Sequence, residues 1–412
     1  MNTTLMTECA PLIGDSDLYL SQLALQLCKA MLAVHPQAST TATIKAEVWS
    51  PTFQLLQSPL LQNSGAERAV MELCAEIVRV GTPGFDFQVL LPAVKSCVVG
   101  RSVGAGATDR DITRQALSSL AQCVATMCET TSKKDRLSTV DDFVANIGKG
   151  ETSVTCLSLL SLGEIGRRFD LSGHAALEGT VIDILSNPSE EIKNAGSFCL
   201  GNVSVGCMDK YLPIVIEAIQ ANPNLQYLLL HSLKEIIKRI SEDKDRAAVS
   251  GGYIQNMLPL LFENAASPDE GVRNVVAECL GKIALCEPTL LDELKKRASD
   301  AAGPIRQTIV TAIRHAVVEA PHPIDEHLQA DIGIFLGLVD DKDLNVKRSA
   351  LLTLNTLTHS KIAVVRAVLG EWQPLAAAPL YAFHCLPSRD PIAALQGSWW
   401  SGCLGRPLWS RS

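Results

Sequence analysis

Apolar residues recur along most of this chain at spacings of three and four, as in Val272, Val275, Val276, Cys279, Leu280 and Ile283, and again in Ile192, Ala195, Cys199, Leu200 and Val203. That rhythm gives a helix one buried stripe. A short polar start precedes each stripe. The clearest are Asn187-Pro188-Ser189-Glu190-Glu191-Ile192-Lys193-Asn194 and Ser267-Pro268-Asp269-Glu270-Gly271-Val272-Arg273-Asn274, with a weaker copy at Asp341-Lys342-Asp343-Leu344-Asn345-Val346-Lys347-Arg348. The spacing predicts an N-cap five places before each aliphatic anchor. Two copies add Pro at the first helical position and Glu two residues later, the makings of a capping box.

Anchors placed at Leu20, Arg68, Ile112, Val154, Ile192, Leu225, Val272, Ile305 and Val346 recur about every 41 residues. A second apolar helix closes each unit, as in Tyr211-Leu212-Pro213-Ile214-Val215-Ile216-Glu217-Ala218-Ile219, before a Pro, Asn or Asp turn opens the next. One helix pair cannot bury its own face, so neighbours must stack. The expected fold is all-α, an α-α superhelix of HEAT or armadillo type with roughly nine helix pairs and no β-sheet.

Composition supports this reading: hydrophobic residues make up 47% of the chain and aromatics only 5%, a Leu/Ala/Val profile suited to helix-on-helix packing rather than to sheets. No apolar run reaches the roughly 18 residues that span a bilayer, and no basic start leads into an apolar leader core. The net charge of −8 argues against nucleic acid as the partner, since phosphate binding needs concentrated Lys and Arg. Lys133-Lys134 and Lys295-Lys296-Arg297 read as solvated helix ends. Thirteen cysteines without a Cys-x-x-Cys pair read as reduced core residues, so the expected setting is the cytoplasm and nucleus.

Chemistry-bearing motifs fail on specific grounds. Gly148-Lys149-Gly150 lacks the rest of a phosphate loop, and Gly104-Ala105-Gly106 is followed by Asp109 where a third Gly belongs. Gly201-Asn202-Val203-Ser204-Val205-Gly206 puts Asn202 at the first Gly of a nucleophile elbow with no strand before it, which leaves Ser204 as an inter-helix turn residue. In His322-Pro323-Ile324-Asp325-Glu326-His327, Pro323 and the five-residue His spacing break the geometry of a zinc-binding helix. His231 lies within a dense apolar helix and reads as a hydrogen-bonded, half-buried residue. The expectation is no enzyme, no cofactor and no metal. The basic residues after the anchors, Lys193, Arg273, Arg306 and Lys347, either meet an acidic partner or pair with acids of the adjacent repeat; a ladder along the stack is the plainer reading. Lys193, Arg273, Lys347 and Arg348 are the candidate partner-binding residues.

Beyond the generic repeat, Ser158-Leu159-Leu160-Ser161-Leu162-Gly163-Glu164-Ile165-Gly166 with Phe169-Asp170-Leu171-Ser172-Gly173 resembles the cullin-associated and neddylation-dissociated protein family. So do Asn187 to Lys193, Gln226 to Ile237, Arg273 to Lys282, Pro323-Ile324-Asp325 and Asp343 to Arg348, in the family's order. The resemblance runs from about residue 11 to 370 and corresponds to a stretch in the carboxy-terminal half of a protein about three times longer. It implies a non-enzymatic HEAT-repeat clamp on the cullin-RING ubiquitin ligase scaffold (cullin with RING-box subunit). Such a clamp competes with the substrate-receptor module and lets ligases exchange receptors. Nuclear-transport receptors and phosphatase scaffolds share the fold without these strings.

The family's terminal repeats are missing from this pattern at both ends. Residues 1–372 are expected to form the solenoid, ending in a helix near Lys361 to Trp372 whose stripe is Ile362, Val365, Leu369 and Trp372. In 373–412 the helix rhythm vanishes. Four of the five Trp (Trp372, Trp399, Trp400, Trp409) lie from Trp372 onward, so an irregular tail of foreign composition is expected there.

Overall fold

The computed structural model describes residues 2–104, 111–242, 251–300, 302–318 and 324–360. The expected final helix and the Trp-rich tail lie outside the described residues. Two compact units meet within one helix: residues up to Ile236, and those from Ile237 onward.

In the first unit a short leading helix α1 (Asn2–Cys9) is followed by α2 (Leu18–Val34), α3 (Ala38–Thr43), a π-helical turn at Ile44–Val48, and α4 (Trp49–Leu55). Then come α5 (Gly65–Val80) with α6 (Phe87–Ser96), α7 (Arg114–Thr130) with α8 (Lys133–Asn146), α9 (Thr152–Arg168) with α10 (Ala175–Asp183), and α11 (Glu190–Gly206) with α12 (Met208–Ala221). Helix α13 (Gln226–Glu242) crosses the boundary. The second unit holds α14 (Gly251–Asn264), α15 (Glu270–Cys286), α16 (Leu290–Arg297), α17 (Gly303–Val317), α18 (Ile324–Leu336) and α19 (Leu344–Ser360). Nine long helices, α2, α5, α7, α9, α11, α13, α15, α17 and α19, each begin at or just beside a predicted anchor. Eight of them have a shorter helical partner among the described residues, which matches the all-α solenoid read from the sequence. Among the described residues the departures are a parallel pair of two-residue strands, β1 (Ser102–Val103) and β2 (Asp111–Ile112), in register Ser102 with Asp111, and an isolated bridge between Thr82 and Phe85.

Long helices pack on long helices: α2 on α5, α5 on α7, α7 on α9 and α9 on α11 in the first unit, α15 on α17 and α17 on α19 in the second. Where a long helix is covered on both flanks, as α5, α7 and α9 are, burial extends round most of the cylinder. In α9 every residue from Thr155 to Gly166 is buried. The repeat period reappears as cross-links between neighbours. Lys29 Nζ donates to Glu72 at 2.8 Å, Ser153 Oγ to Val98 O at 2.8 Å, Tyr211 Oη to Leu171 O at 3.3 Å, Thr308 Oγ1 to Ala265 O at 3.0 Å and Thr353 Oγ1 to Val310 O at 3.0 Å. The hydroxyls of Ser153, Tyr211, Thr308 and Thr353 belong to buried residues, and these bonds satisfy them.

The caps fall two residues later than the sequence spacing suggests. Ser189 and Asp269 are the N-caps of α11 and α15, with Ser189 Oγ accepting from Ile192 N and Asp269 Oδ1 from Gly271 N and Val272 N. Asn187, Ser267 and Asp341 instead form the turn before: Asn187 Oδ1 accepts from Ser189 N at 2.9 Å, Ser267 Oγ from Asp269 N at 3.2 Å and Asp341 Oδ1 from Asp343 N at 2.8 Å. Pro188 and Pro268 therefore precede the caps rather than open the helices. Their rings hold the preceding residue out of the helical region, which suits a side-chain-closed turn there. Asp269→Ala is expected to lower stability by about 1 kcal/mol in urea unfolding, while Asp269→Ser stays near the parent value.

Two anchors slip. At the start of α5, Glu67 turns inward at 7% exposure and Arg68 faces out, because Glu67 accepts from Asn63 N at 2.7 Å and from Ser119 Oγ on α7 at 2.8 Å. Ile112 is buried but belongs to β2, one residue ahead of the Thr113 N-cap. Ser204 is no turn residue. It lies inside α11, fully buried, and donates to Leu200 O at 2.6 Å.

Candidate partner-binding surface

With the inner long helices such as α9 buried nearly all round, much of the surface that a partner can reach comes from the short helices and the loops. Two grooves lie at equivalent places in the repeat, one in each unit. The first, of about 600 Å³, runs between α6 and α8 and reaches the start of α9. Phe87, Leu91, Val98 and Leu157 give it an apolar floor, and its rim is polar: Gln88 Nε2 donates to Asp135 at 3.0 Å, Lys95 pairs with Asp142 and lies over the Phe143 ring. The second, of about 700 Å³, lies between α14 and α16. There the Arg297 guanidinium stacks 4.0 Å from the Phe262 ring centroid and pairs with Glu293 at 3.0 Å. Both grooves carry a Pro within the first of their two helices, Pro92 and Pro259.

The four basic candidates lie elsewhere, each in the first turn of a long helix. Lys193 pairs with Glu190 in its own turn. Arg273 Nη1 donates to Ser267 O at 2.7 Å and to Pro268 O at 3.0 Å, and Nη2 to Gln307 on α17 at 3.4 Å. A cation is electrostatically disfavoured at a helix N-terminus, and these carbonyls of the preceding turn offset that. On α19, Lys347 is half-buried and Arg348 exposed. None of the four lines either groove, and in the second unit Arg273 is two long helices from Lys347 and Arg348. Arg306, fifth of the series, takes the neighbouring-repeat pairing. Its Nε and Nη2 donate to Asp341 at 2.7 and 2.8 Å, and both side chains are about 6–7% exposed. Sequence reasoning placed Asp341 at a cap and missed this role.

Lys295, Lys296 and Arg297 close the last turn of α16, where they complement the helix dipole and pair with Asp331, Glu293 and Asp292. Gly148 and Gly150 are turn glycines at φ +73° and +119°. His322 and Pro323 lie outside the described residues, and His327 is exposed on α18. Among the described residues no group of three His, Cys, Asp or Glu side chains is placed to hold a metal, and no helix is long and apolar enough to cross a membrane. Burial pushes the thiols of Cys28, Cys128 and Cys156 up to about 12 and that of Cys97 to about 11. A thiol that stays protonated at neutral pH is a core residue rather than a nucleophile. Within each unit the geometry offers polar and apolar surface for binding, built on a stack that fixes its spacing.

No family model matches the chain. Curated relatives do. The Cullin-associated NEDD8-dissociated protein 1 of Arabidopsis thaliana is 39% identical over 381 residues, which is 90% of this chain, and the protein of the same name from Dictyostelium discoideum is 35% identical over 375 residues, again 90%. Along this span the chain belongs to the cullin-associated NEDD8-dissociated family. It covers 30% of the length of each of these two relatives. Three glycines recur nine residues after an anchor, two of them within the family strings from Ser158 to Gly173 and Arg273 to Lys282. Gly163 follows Val154, Gly201 follows Ile192 and Gly281 follows Val272. Each lies against the next long helix, where an added Cβ would stand 3.1 Å from Cys199 Cα, 2.6 Å from Ser232 O and 2.5 Å from Ala312 O. This signal was present in the sequence and the motif reading passed over it. Among solved structures, yeast importin-beta (Kap95p) gives a TM-score of 0.45 at 14% identity, covering 98% of this chain and 54% of its own.

Proposed function

We propose that this chain is a non-enzymatic binding scaffold for a cullin, acting in the cytoplasm and nucleus in the assembly of cullin-RING ubiquitin ligases and the exchange of their substrate receptors. The observation that carries this reading is 35–39% identity across 90% of the chain to proteins whose names record cullin association. The stack of helix pairs supports it physically, because an elongated partner is best held by many modest contacts spread over a repeating surface. Arg348, exposed in the first turn of α19, with Lys347 and Lys193, offers charge to acidic residues of that partner, whereas Arg273 is engaged by its own preceding turn. The other HEAT classes, transport receptors and phosphatase scaffolds, draw no support from the sequence relatives.

A pull-down against a cullin with its RING-box subunit, unmodified and conjugated to the ubiquitin-like modifier, tests the reading. The expected result is retention by the unmodified complex only. In titration the affinity is expected to fall at least about tenfold below that of a full-length relative, because linked contacts elsewhere along the longer protein multiply its avidity. Failure to retain either complex at micromolar concentrations would refute the cullin assignment, and equal affinity would refute the avidity argument.

A further inference from the structure

Both walls of the groove between α14 and α16 belong to the second unit, and its shape is set by contacts within this chain. Along α14, Ile254, Leu258 and Phe262 recur every four residues and form an apolar floor about 12 Å long, with Leu258 and Phe262 half-buried. Gln255, Pro259 and Glu263 run beside them as one rim, and Thr289, Glu293 and Arg297 of α16 form the other at the same spacing. Phe262 meets Arg297 at 4.0 Å, last turn against last turn, so the two helices run parallel. Glu263 therefore stands at one end of the floor and Glu287, just before α16, at the other.

Charge at these two ends is uncompensated. Glu293 pairs with Lys296 and Arg297, but Glu263 and Glu287 have no ion pair among the described residues. Each also lies at the negative end of a helix dipole, Glu263 in the last turn of α14 and Glu287 at the C-cap of α15. A carboxylate is disfavoured there and an added cation is favoured. In the first groove, by contrast, Asp142 pairs with Lys95, and Asp135 accepts from Gln88 and Ser132. Two further groups point to a peptide as the occupant. Pro259 has no N–H, which leaves Gln255 O without its helical donor, and Arg297 Nε is buried with no acceptor among the described residues. An amide N–H and a carbonyl oxygen, the two polar groups of a peptide unit, match them. We propose that this groove docks a peptide segment of a partner protein in which an apolar centre is flanked by Lys or Arg, the cations meeting Glu263 and Glu287 and the apolar side chains covering Leu258 and Phe262. In an extended segment, residues four apart are separated by about 13 Å, which spans the floor. None of Lys193, Arg273, Lys347 and Arg348 lines this groove, so its occupancy does not rest on the cullin reading.

Fluorescence anisotropy of a fluorophore-labelled peptide, Lys-Leu-Phe-Leu-Lys-amide, titrated with the whole chain, tests this. The dissociation constant is expected on the order of 100 µM. Glu263→Gln combined with Glu287→Gln should weaken binding about fivefold or more, while the melting temperature stays level or rises, since both changes relieve the negative end of a helix. Asp135→Asn combined with Asp142→Asn, in the first groove, should leave the affinity unchanged. The proposal is overturned if the parent shows no saturable binding below about 1 mM, or if either control peptide, Glu-Leu-Phe-Leu-Glu-amide or Lys-Ser-Gly-Ser-Lys-amide, binds as tightly. It is equally overturned if the double glutamine variant binds as the parent does, or if the first-groove variant is the one that loses affinity.

Discussion

Replacing Asp341 by Ala is expected to destabilise the second unit by about 3 kcal/mol, among the largest effects of any single side chain outside the apolar core. The carboxylate receives two hydrogen bonds from the Arg306 guanidinium at 2.7 and 2.8 Å, and also one from Asp343 N at 2.8 Å. The remaining guanidinium nitrogen, Nη1, donates to Asp300 O at 2.7 Å. Removing the acid leaves a cation at 6% exposure without the two hydrogen bonds to Asp341. Removing both charges together is milder, since an apolar pair of similar volume replaces an interaction whose gain is largely offset by desolvation. The double substitution Arg306→Met with Asp341→Leu should therefore recover most of the loss. Urea unfolding of the three proteins measures this, and a loss under about 1 kcal/mol in Asp341→Ala would show that the pair is energetically idle. The pair also carries a pH dependence. Hydrogen bonding to Arg306 holds the Asp341 carboxyl below the usual carboxylate range. Its contribution is thus complete above the unfolded-state value near 4 and is lost as pH falls through the lower folded value. Asp341→Asn should be less sensitive to acid than the parent over that window.

Gly201→Ala and Gly281→Ala are each expected to cost about 2 kcal/mol, although Ala favours a helix over Gly by about 1 kcal/mol when nothing intervenes. The new methyl would stand 2.6 Å from Ser232 O at position 201 and 2.5 Å from Ala312 O at position 281, with a second close atom in each case, Glu235 Cβ and His315 Cβ. Backbone of the next long helix cannot rotate away as a side-chain tip can, so the helices must separate. Gly179, in the exposed short helix α10, meets nothing within 4 Å. Gly179→Ala should raise stability by up to about 1 kcal/mol. Thermal melts of the three variants decide the matter, and a stabilised Gly281→Ala would mean that the stack yields at no cost.

The helix rhythm, the repeat of about 41 residues and the family strings were legible because they depend on contacts within one helix turn or on residue identity alone. Ile192, Val272 and Val346, read as anchors, are each buried in the first turn of a long helix. The cap register was misread by two residues because Asn187, Ser189, Ser267 and Asp269 are all good caps, and only the path of the chain out of the previous helix decides which one meets the helix amides. Arg68 was placed as an anchor by the repeat spacing, and the structure turns Glu67 inward instead, because Ser119, fifty-two residues away, supplies a hydroxyl that pairs with its buried side chain. Arg306 and Asp341 could be matched only once stacking had brought the start of α17 beside the turn before α19. The same holds for the glycines at 163, 201 and 281, whose small size is a local fact but whose need depends on the distance to the next helix. By itself the sequence determined which segments become helices, which face of each is apolar and how often the unit repeats, because those follow from local hydrogen bonding and a period of 3.6. Which polar groups are paired and which glycines are indispensable were decided by the packing of one helix on the next, since burial and interatomic distance exist only after the stack has formed.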